Sequence, residues 1–285
     1  MNIPRFWANA SETIETDDGR SLFLKGWGWS LDSLSEAQNR ARETLQRLTA
    51  RVRSGENFPD RYAYGTRALR EEIIREISAS INSSAAIVTR NSYGALILNT
   101  TQMMFVDIDV PIDAPPSSSG LLSLFSRKKQ PQGPDPAEQA FETLKSRLGV
   151  EAGRFRAYRT AGGFRLIAVD ALYEPGSTET EEFMNYVQAD PAFIKLCRAQ
   201  KSFRARLTPK PWRIRQSQPP VSFPRETSRE QHRFSKWLSN YETASAAWAT
   251  CKLLLEAKES IHKAIQPLLD IHDEITKVSS SLPLA

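Results

Sequence analysis

The sequence Met104-Phe-Val-Asp-Ile-Asp-Val110 places two carboxylates on one short apolar strand. Side chains at positions i and i+2 of a strand share a face. Asp107 and Asp109 therefore point the same way, while the apolar residues that alternate with them point into a core. Two carboxylates about 6–7 Å apart repel each other by roughly 3 kcal/mol at an effective dielectric of ~20. A divalent cation or nearby arginines would remove this repulsion, whereas aspartates that end a strand in water would need neither.

Asp107 and Asp109 are the candidate metal ligands and, with a metal, the candidate catalytic residues. Mg²⁺ and Mn²⁺ accept carboxylate oxygens and take their remaining ligands from water and substrate phosphates. Asp170 is a candidate third carboxylate because it follows the next pair of predicted strands. The alternative is that both aspartates pair with Arg159 or Arg165 in a structural ion-pair network.

The stretch Tyr158-Arg-Thr-Ala-Gly-Gly-Phe-Arg-Leu-Ile167 predicts a hairpin with arginines on both sides of its turn. Paired glycines let the backbone approach a ligand closely, and exposed turn amides can form an anion-binding nest. Arginine adds bidentate recognition of phosphate. The candidate phosphate-binding residues are Arg159, Thr160, Gly162, Gly163 and Arg165. An ordinary hairpin turn with solvated arginines is the alternative.

Positive charge is concentrated between residues 191 and 225, which contain nine Lys or Arg residues and no Asp or Glu. The rest of the chain carries 29 basic and 33 acidic residues. Such a segregated stretch is typical of a surface that binds a polyanion. Basic residues interleaved with an aromatic side chain suit a groove for a nucleic-acid strand. The candidate nucleic-acid contacts are Arg204, Arg206, Lys210, Trp212 and Arg213.

The N-terminal third predicts scaffold elements. Two strands flank the tight turn Asp17-Asp-Gly19, and Ser33-Leu-Ser-Glu36 is a capping box that begins a helix. A second helix is expected from about Thr66, with Leu69, Ile73, Ile77 and Ile81 buried at helical spacing. Asn91-Ser-Tyr-Gly94 predicts a turn between two further strands.

The remaining elements predict an α+β fold with a mixed sheet. Residues 111–135 read as a mobile loop, and a helix from Asp135 to Gly149 joins the aspartate strand to a parallel strand through a β-α-β crossover. From Thr227 onward we expect a helical hairpin. Its first helix carries a stripe from Phe234 to Leu255, and its second is kinked at Pro267. The expected regions are a scaffold (1–84), a core with the basic segment (85–225) and a helical region (226–285).

Composition excludes several classes of function. No apolar run approaches the ~20 residues that cross a bilayer, and the N-terminus lacks the layout of a secretory signal, so we expect a cytoplasmic protein without membrane contact. Two cysteines without Cys-x-x-Cys spacing indicate neither a disulfide framework nor a thiolate zinc site. His232, His262 and His272 all lie in the C-terminal tail. We therefore expect no histidine near the aspartates and no Ser-His-Asp or Cys-His catalysis.

Three motifs follow one another in an order that resembles the archaeo-eukaryotic primase and primase-polymerase superfamily. They are Asn91-Ser-Tyr-Gly94, Asp107-Ile-Asp109 and Thr160-Ala-Gly-Gly-Phe-Arg165, and the resemblance covers roughly residues 85–215. It implies a primase/RRM-like core, metal ligation by Asp107 and Asp109, and phosphate contacts from the Thr160–Arg165 turn. Where the family has histidine this chain has Arg165, which binds phosphate but exchanges no proton near neutral pH.

Two hypotheses from different classes follow. The first is a Mg²⁺- or Mn²⁺-dependent nucleotidyltransferase that acts on a nucleoside triphosphate or nucleic acid. The second is a non-catalytic DNA- or RNA-binding module with a degenerate active site. A scaffold that forms a homodimer or recruits a partner protein through its C-terminal helices is a third reading.

Overall fold

The computed structural model describes residues 1–16, 19–55, 68–78, 85–110 and 136–285. The predicted loop at 111–135 lies outside these ranges. The described strands are β1 (Phe6–Glu15), β2 (Ser21–Ser30), β3 (Glu72–Ile77), β4 (Ala86–Arg90), β5 (Leu96–Thr100), β6 (Phe105–Asp109), β7 (Phe155–Thr160), β8 (Gly163–Ala168), β9 (Phe203–Arg206) and β10 (Cys251–Leu255). The described helices are α1 (Leu34–Arg53), α2 (Pro136–Leu148), α3 (Thr178–Tyr186), α4 (Pro191–Gln200), α5 (Ser228–Ser245) and α6 (Gln266–Thr276). None of these helices has both the length and the apolar composition that a bilayer crossing requires.

The N-terminal hairpin and its helix are confirmed. β1 pairs with β2 antiparallel, and α1 packs on the face that carries Gly26 and Gly28. A Cβ on Gly28 would lie 2.2 Å from the carbonyl oxygen of Ala37, so the helix approaches this closely only because the side chain is absent. Ser33 caps α1 by accepting from the Glu36 amide. The Glu36 carboxylate accepts from Ser30 Oγ instead of completing the capping box. Asp17 and the residue after it lie outside the described ranges.

The central sheet has the strand order β10-β7-β8-β6. β8 pairs antiparallel with both β6 and β7, so β6 and β7 run in the same direction with β8 between them. Each hydrogen-bonded strand pair among the described residues is antiparallel, and the predicted mixed sheet is therefore wrong. The α+β class is confirmed by the elements above.

The two faces of this sheet are covered by different helices. On one face, Val106 and Ile108 are buried as predicted, and Phe141 of α2 packs 5.4 Å from Phe164. On the other face, Asp107 is paired across the strands with Arg165. Helix α6 packs over this second face and brings the buried His272 against it.

The second four-stranded sheet has the order β3-β4-β5-β9, and its Asn91–Gly94 hairpin is confirmed. The helix expected through Ile73 and Ile77 is wrong because these residues belong to β3, which pairs with β4. Apolar residues four positions apart fit either a helix or a short strand, and pairing with a neighbouring strand decides between them. Thr66 and Ile81, the ends of the expected helix, lie outside the described residues.

The C-terminal region contains a strand between its helices. α5 ends at Ser245, and Cys251–Leu255 forms β10, an edge strand paired with β7. The single helical stripe expected up to Leu255 is therefore wrong, and no hairpin of consecutive helices forms here. Pro267 lies in the first turn of α6, where a backbone N–H would have no acceptor within the helix. Proline therefore costs no hydrogen bond at this position, and it starts the helix instead of kinking it.

Candidate functional site

The predicted acidic strand, the glycine turn and the basic segment meet at the end of β6. Asp109 is exposed and is paired across the strands with Gly163. A Cβ placed on Gly162 would lie 3.1 Å from Arg213 Nη2 and 3.7 Å from Asp109 Oδ1. The acidic strand, the glycine turn and the basic segment therefore converge on one place, although they are far apart in the sequence.

Asp107 is held by a buried arginine. Arg165 Nε and Nη2 donate to the two carboxylate oxygens of Asp107 at 2.7 and 3.0 Å. Arg165 Nη1 donates to the carbonyl oxygen of Arg206 at 2.9 Å, and the side chain is 1% exposed. Burial lowers the pKa of Arg165, but the charge of Asp107, the hydrogen bond to it and the neighbouring Cys251 and Tyr158 together raise the pKa above its ordinary value. Arg165 is thus not available to a triphosphate, and an arginine relieves the aspartate repulsion at this position.

A histidine does lie beside the aspartate pair, contrary to expectation. His272 of α6 is fully buried, and its Nε2 lies 3.4 Å from Arg165 Nη1. Its Nδ1 lies 2.8 Å from Asp273 Oδ1, and desolvation lowers the pKa of the imidazole. His272 follows Leu268 and Leu269 at helical spacing, so its place on the buried face of α6 was visible in the sequence. The sheet on which α6 packs was not.

The sulfur of Cys251 lies 3.9 Å from His272 Nε2, which completes a Cys-His-Asp sequence of contacts. Burial raises the pKa of the Cys251 thiol to about 11. A thiol that is protonated near neutral pH and fully enclosed is not a nucleophile. Cys251 and His272 therefore pack against Arg165, while Asp273 accepts from Arg156 Nη1 at 2.6 Å.

Strand register separates the two arginines that were expected to bind one triphosphate. Directly opposed residues of an antiparallel pair share a face. Arg165 opposes Tyr158, so Arg159 lies on the opposite face of the sheet, with its guanidinium 5.2 Å from the Phe164 ring.

The glycine turn has a structural explanation. Gly163 has φ +154°, and a Cβ there would lie 2.0 Å from the carbonyl oxygen of Ile108. Only glycine allows β6 and β8 to pair this closely. Thr160 Oγ1 accepts from the Gly162 amide at 3.3 Å, which orders the turn from within.

Asp170, the candidate third carboxylate, lies at the other end of the sheet. β8 runs away from Asp109, and Asp170 lies five residues beyond Arg165, the position opposite Asp107, which is about 16 Å for an extended chain. Its carboxylate accepts from Arg154 Nε at 2.7 Å. Asp170 therefore takes no part in this site.

Arg204 belongs to a buried polar network and not to a surface. It donates to Asn99 Oδ1 at 2.6 Å and to Glu71 Oε1 at 2.7 Å, and it is 7% exposed. Glu71 Oε2 in turn accepts from Thr89. As predicted for a strand, Arg206 shares its face with Arg204, but both lie against protein and not along an open groove.

The remaining candidate residues form what we call the cationic patch: Lys210, Trp212 and Arg213. Trp212 is 51% exposed, Lys210 Nζ lies 5.6 Å from the centre of its ring, and Tyr93 packs edge-on against it at 5.3 Å. The patch residues with positive charge form no salt bridge within the described part of the chain.

Burial and like charges disfavour the charged forms of Lys210 and Asp109. Burial and the nearby Arg206 and Arg213 lower the pKa of Lys210. Burial and the like charges of Asp190 and Asp107 raise the pKa of Asp109. An added anion near Lys210 would relieve the repulsion between the cations.

The residues present do not fit a Mg²⁺ or Mn²⁺ site. Both oxygens of Asp107 are engaged by Arg165, which leaves Asp109 as the open carboxylate of the predicted pair. Asp190, the next carboxylate nearby, accepts from the Ala192 amide and caps α4. Within the described residues there is no group of three or more His, Cys, Asp or Glu placed to hold a metal ion.

No family model matches this chain, and neither the curated proteins nor the solved structures contain a match. The motif-level resemblance to the primase superfamily therefore stays a prediction.

Proposed function

We propose that this chain is a non-catalytic nucleic-acid-binding protein with a primase-like core and a degenerate active site. The observation that carries the proposal is the division of charge at the site. The buried Arg165 neutralises Asp107, whereas Lys210 and Arg213 stay unpaired among the described residues beside an exposed tryptophan. β6 and β7 run in the same direction with β8 between them, and α2 lies between β6 and β7 in sequence. This arrangement supports the primase-like part of the proposal.

The patch is better suited to a single strand than to a duplex. Cations that follow a backbone, together with an aromatic ring on which bases stack, are the common features of single-strand binding sites. Trp212 offers such a ring, and Lys210 and Arg213 flank it in the sequence. A duplex would hide its base faces from Trp212.

Among the described residues, the groups that nucleotidyl transfer usually requires are not assembled at this site. The carboxylates do not fit a metal pair, and Arg165 is a permanently charged side chain that transfers no proton near neutral pH. His272 is enclosed, and burial lowers the pKa of its imidazole. A binding role requires none of these groups.

Fluorescence anisotropy with labelled oligonucleotides tests the proposal. Single-stranded DNA, single-stranded RNA and duplex DNA are titrated over a series of salt concentrations, with Mn²⁺ or with EDTA. Replacing Lys210 and Arg213 by Ala should flatten the slope of log affinity against log salt by about 1.4, twice the single-strand value of roughly 0.7 per phosphate. The matched control is Arg42→Ala with Arg47→Ala, two exposed arginines on α1.

The contribution of Trp212 is separable from that of charge. Trp212→Ala should weaken binding by about 1–3 kcal/mol with little change in slope, because stacking releases no counterions. Circular dichroism must show that each variant is folded. Equal slopes for the patch variant and the α1 control would refute the proposal, and binding that requires Mn²⁺ would favour the catalytic hypothesis.

A further inference from the structure

A cavity of about 360 Å³ is lined in part by Pro209, the residue that precedes Lys210 of the cationic patch. Its walls come from the start of β5, the segment Thr208–Pro209, the C-terminal turn of α5 and the end of α6. Pockets that bind small organic molecules begin at about 300 Å³. The cavity is therefore large enough for one heteroaromatic ring system.

One wall of the cavity contains a buried arginine. Arg90 is 7% exposed, and its Nη1 donates to the carbonyl oxygen of Gly94 at 2.9 Å. Its Nε is buried and has no hydrogen-bond partner. Because this atom is closed off from the cavity, Arg90 contributes its positive charge to the wall and not a free donor.

The charges that line the cavity balance each other. Arg90 and Lys277 are opposed by Glu242 and Glu274, and Arg90 Nη2 lies 3.6 Å from Glu242 Oε1. A balanced set of this kind discriminates against a strongly charged ligand. It offers donors and acceptors to a neutral molecule that has both.

Apolar and aromatic groups supply the rest of the lining, among them Leu96, Tyr241 and Trp248. Flat rings pack favourably on such walls. A neutral, flat ring with donors and acceptors on its edge matches both the walls and the polar groups. Nucleobases have this chemistry.

The cavity and the patch are joined through the backbone. Pro209 lines the cavity, and Lys210 of the patch is the next residue. Tyr241 Oη donates to the carbonyl oxygen of Pro209 at 2.7 Å, which holds this segment against α5. The ligand we consider would pass over this segment, with a phosphate at Lys210 and its base in the cavity.

We propose that this cavity binds a nucleobase of the nucleotide or strand held at the cationic patch. The inference rests on the proposed function and deepens it, because it adds selection for a base to binding of the backbone. The base comes either from a free mononucleotide or from a strand, and the two sources are distinguished by the ligands of the test.

The test introduces a larger side chain at the rim of the cavity. Ala246 is exposed and lines the cavity, whereas the neighbouring Ala247 is exposed and does not line it. Ala246→Phe and Ala247→Phe therefore form a matched pair with equal added volume. Calorimetry measures binding of the four nucleoside monophosphates, and anisotropy measures binding of an oligonucleotide and of an abasic oligonucleotide with the same phosphates.

Ala246→Phe should weaken binding of the base-bearing oligonucleotide roughly tenfold, while Ala247→Phe and the abasic ligand show no such change. If the mononucleotides lose affinity in parallel, the cavity accepts a free nucleotide; a loss confined to the oligonucleotide assigns it to a strand. In the wild type, an uncharged nucleoside should compete with the base-bearing oligonucleotide and leave the abasic one bound, a measurement that needs no variant. Equal behaviour of the two Phe variants together with absence of competition would overturn the inference. A normal salt slope in that case would leave the proposed function standing.

Discussion

Asp109 provides the sharpest test of whether this site binds phosphates through cations or through a metal. Its carboxylate lies beside Gly162, which Arg213 also approaches. If the patch binds phosphates directly, Asp109 repels them, and Asp109→Asn should tighten binding. If Asp109 holds a metal that bridges to phosphates, the same change should weaken binding.

The magnitude follows from Coulomb's law. A phosphate about 8 Å from the carboxylate is repelled by about 2 kcal/mol at an effective dielectric of ~20. One Debye length is also about 8 Å at physiological ionic strength, which reduces the repulsion to about 0.8 kcal/mol. Asp109→Asn should therefore tighten single-strand binding roughly fourfold near 0.15 M salt, and more at lower salt.

The pH dependence of binding gives an independent reading. Burial and the neighbouring Asp190 and Asp107 raise the pKa of Asp109, so this carboxylate becomes neutral sooner than an ordinary one as the pH falls. Wild-type affinity should rise toward that of Asp109→Asn as the pH falls through the raised pKa. Above that pKa the affinities of the wild type and of Asp109→Asn should differ by the full factor given above.

Anisotropy titrations of both proteins over pH 4–8 at about 0.15 M salt measure this difference. Glu43→Gln, which removes an exposed carboxylate from α1, controls for the change in net charge. Weaker binding by Asp109→Asn in the presence of Mn²⁺, or an equal gain in Glu43→Gln, would refute the reasoning.

Further predictions concern the framework of the site. Asp107→Ala leaves Arg165 charged and buried without its partner, and it should lower the free energy of unfolding by about 3–5 kcal/mol in urea titrations; a loss below 1 kcal/mol would contradict the ion pair. Gly163→Ala should destabilise strongly because its Cβ would meet the carbonyl oxygen of Ile108, whereas Gly162→Ala has room beside a flexible side chain and serves as the control. Burial raises the pKa of the Cys197 thiol to about 12 and that of the Cys251 thiol to about 11. Labelling of both cysteines by a thiol reagent should therefore be slow in the native protein and rapid in denaturant. Rapid native labelling would show that either cysteine is accessible.

Local elements were predictable where one short-range pattern decides the structure. Alternation predicted that Val106 and Ile108 would be buried opposite the aspartates, and Ser33 predicted the start of α1. Turn residues predicted the Asn91–Gly94 hairpin. These features depend on residues within a few positions of one another.

Elements that depend on a distant strand were not predictable in the same way. β3 and β10 are edge strands, each held by a partner that the sequence does not specify. Their short apolar runs fit a helix equally well, and only the hydrogen bonds to β4 and β7 select the strand.

The sequence alone determined the α+β class, the hairpins, the two aspartates on one strand face and the excess of positive charge at 191–225. Only the tertiary structure decided which of these charges are neutralised. Arg165 reaches Asp107 across 58 positions of sequence, and Arg204 reaches Glu71 across 133. Lys210 and Arg213 receive no such partner among the described residues. The physical reason is that the strength of an ion pair depends on separation in space and on burial, and neither quantity is written in the spacing of residues along the chain.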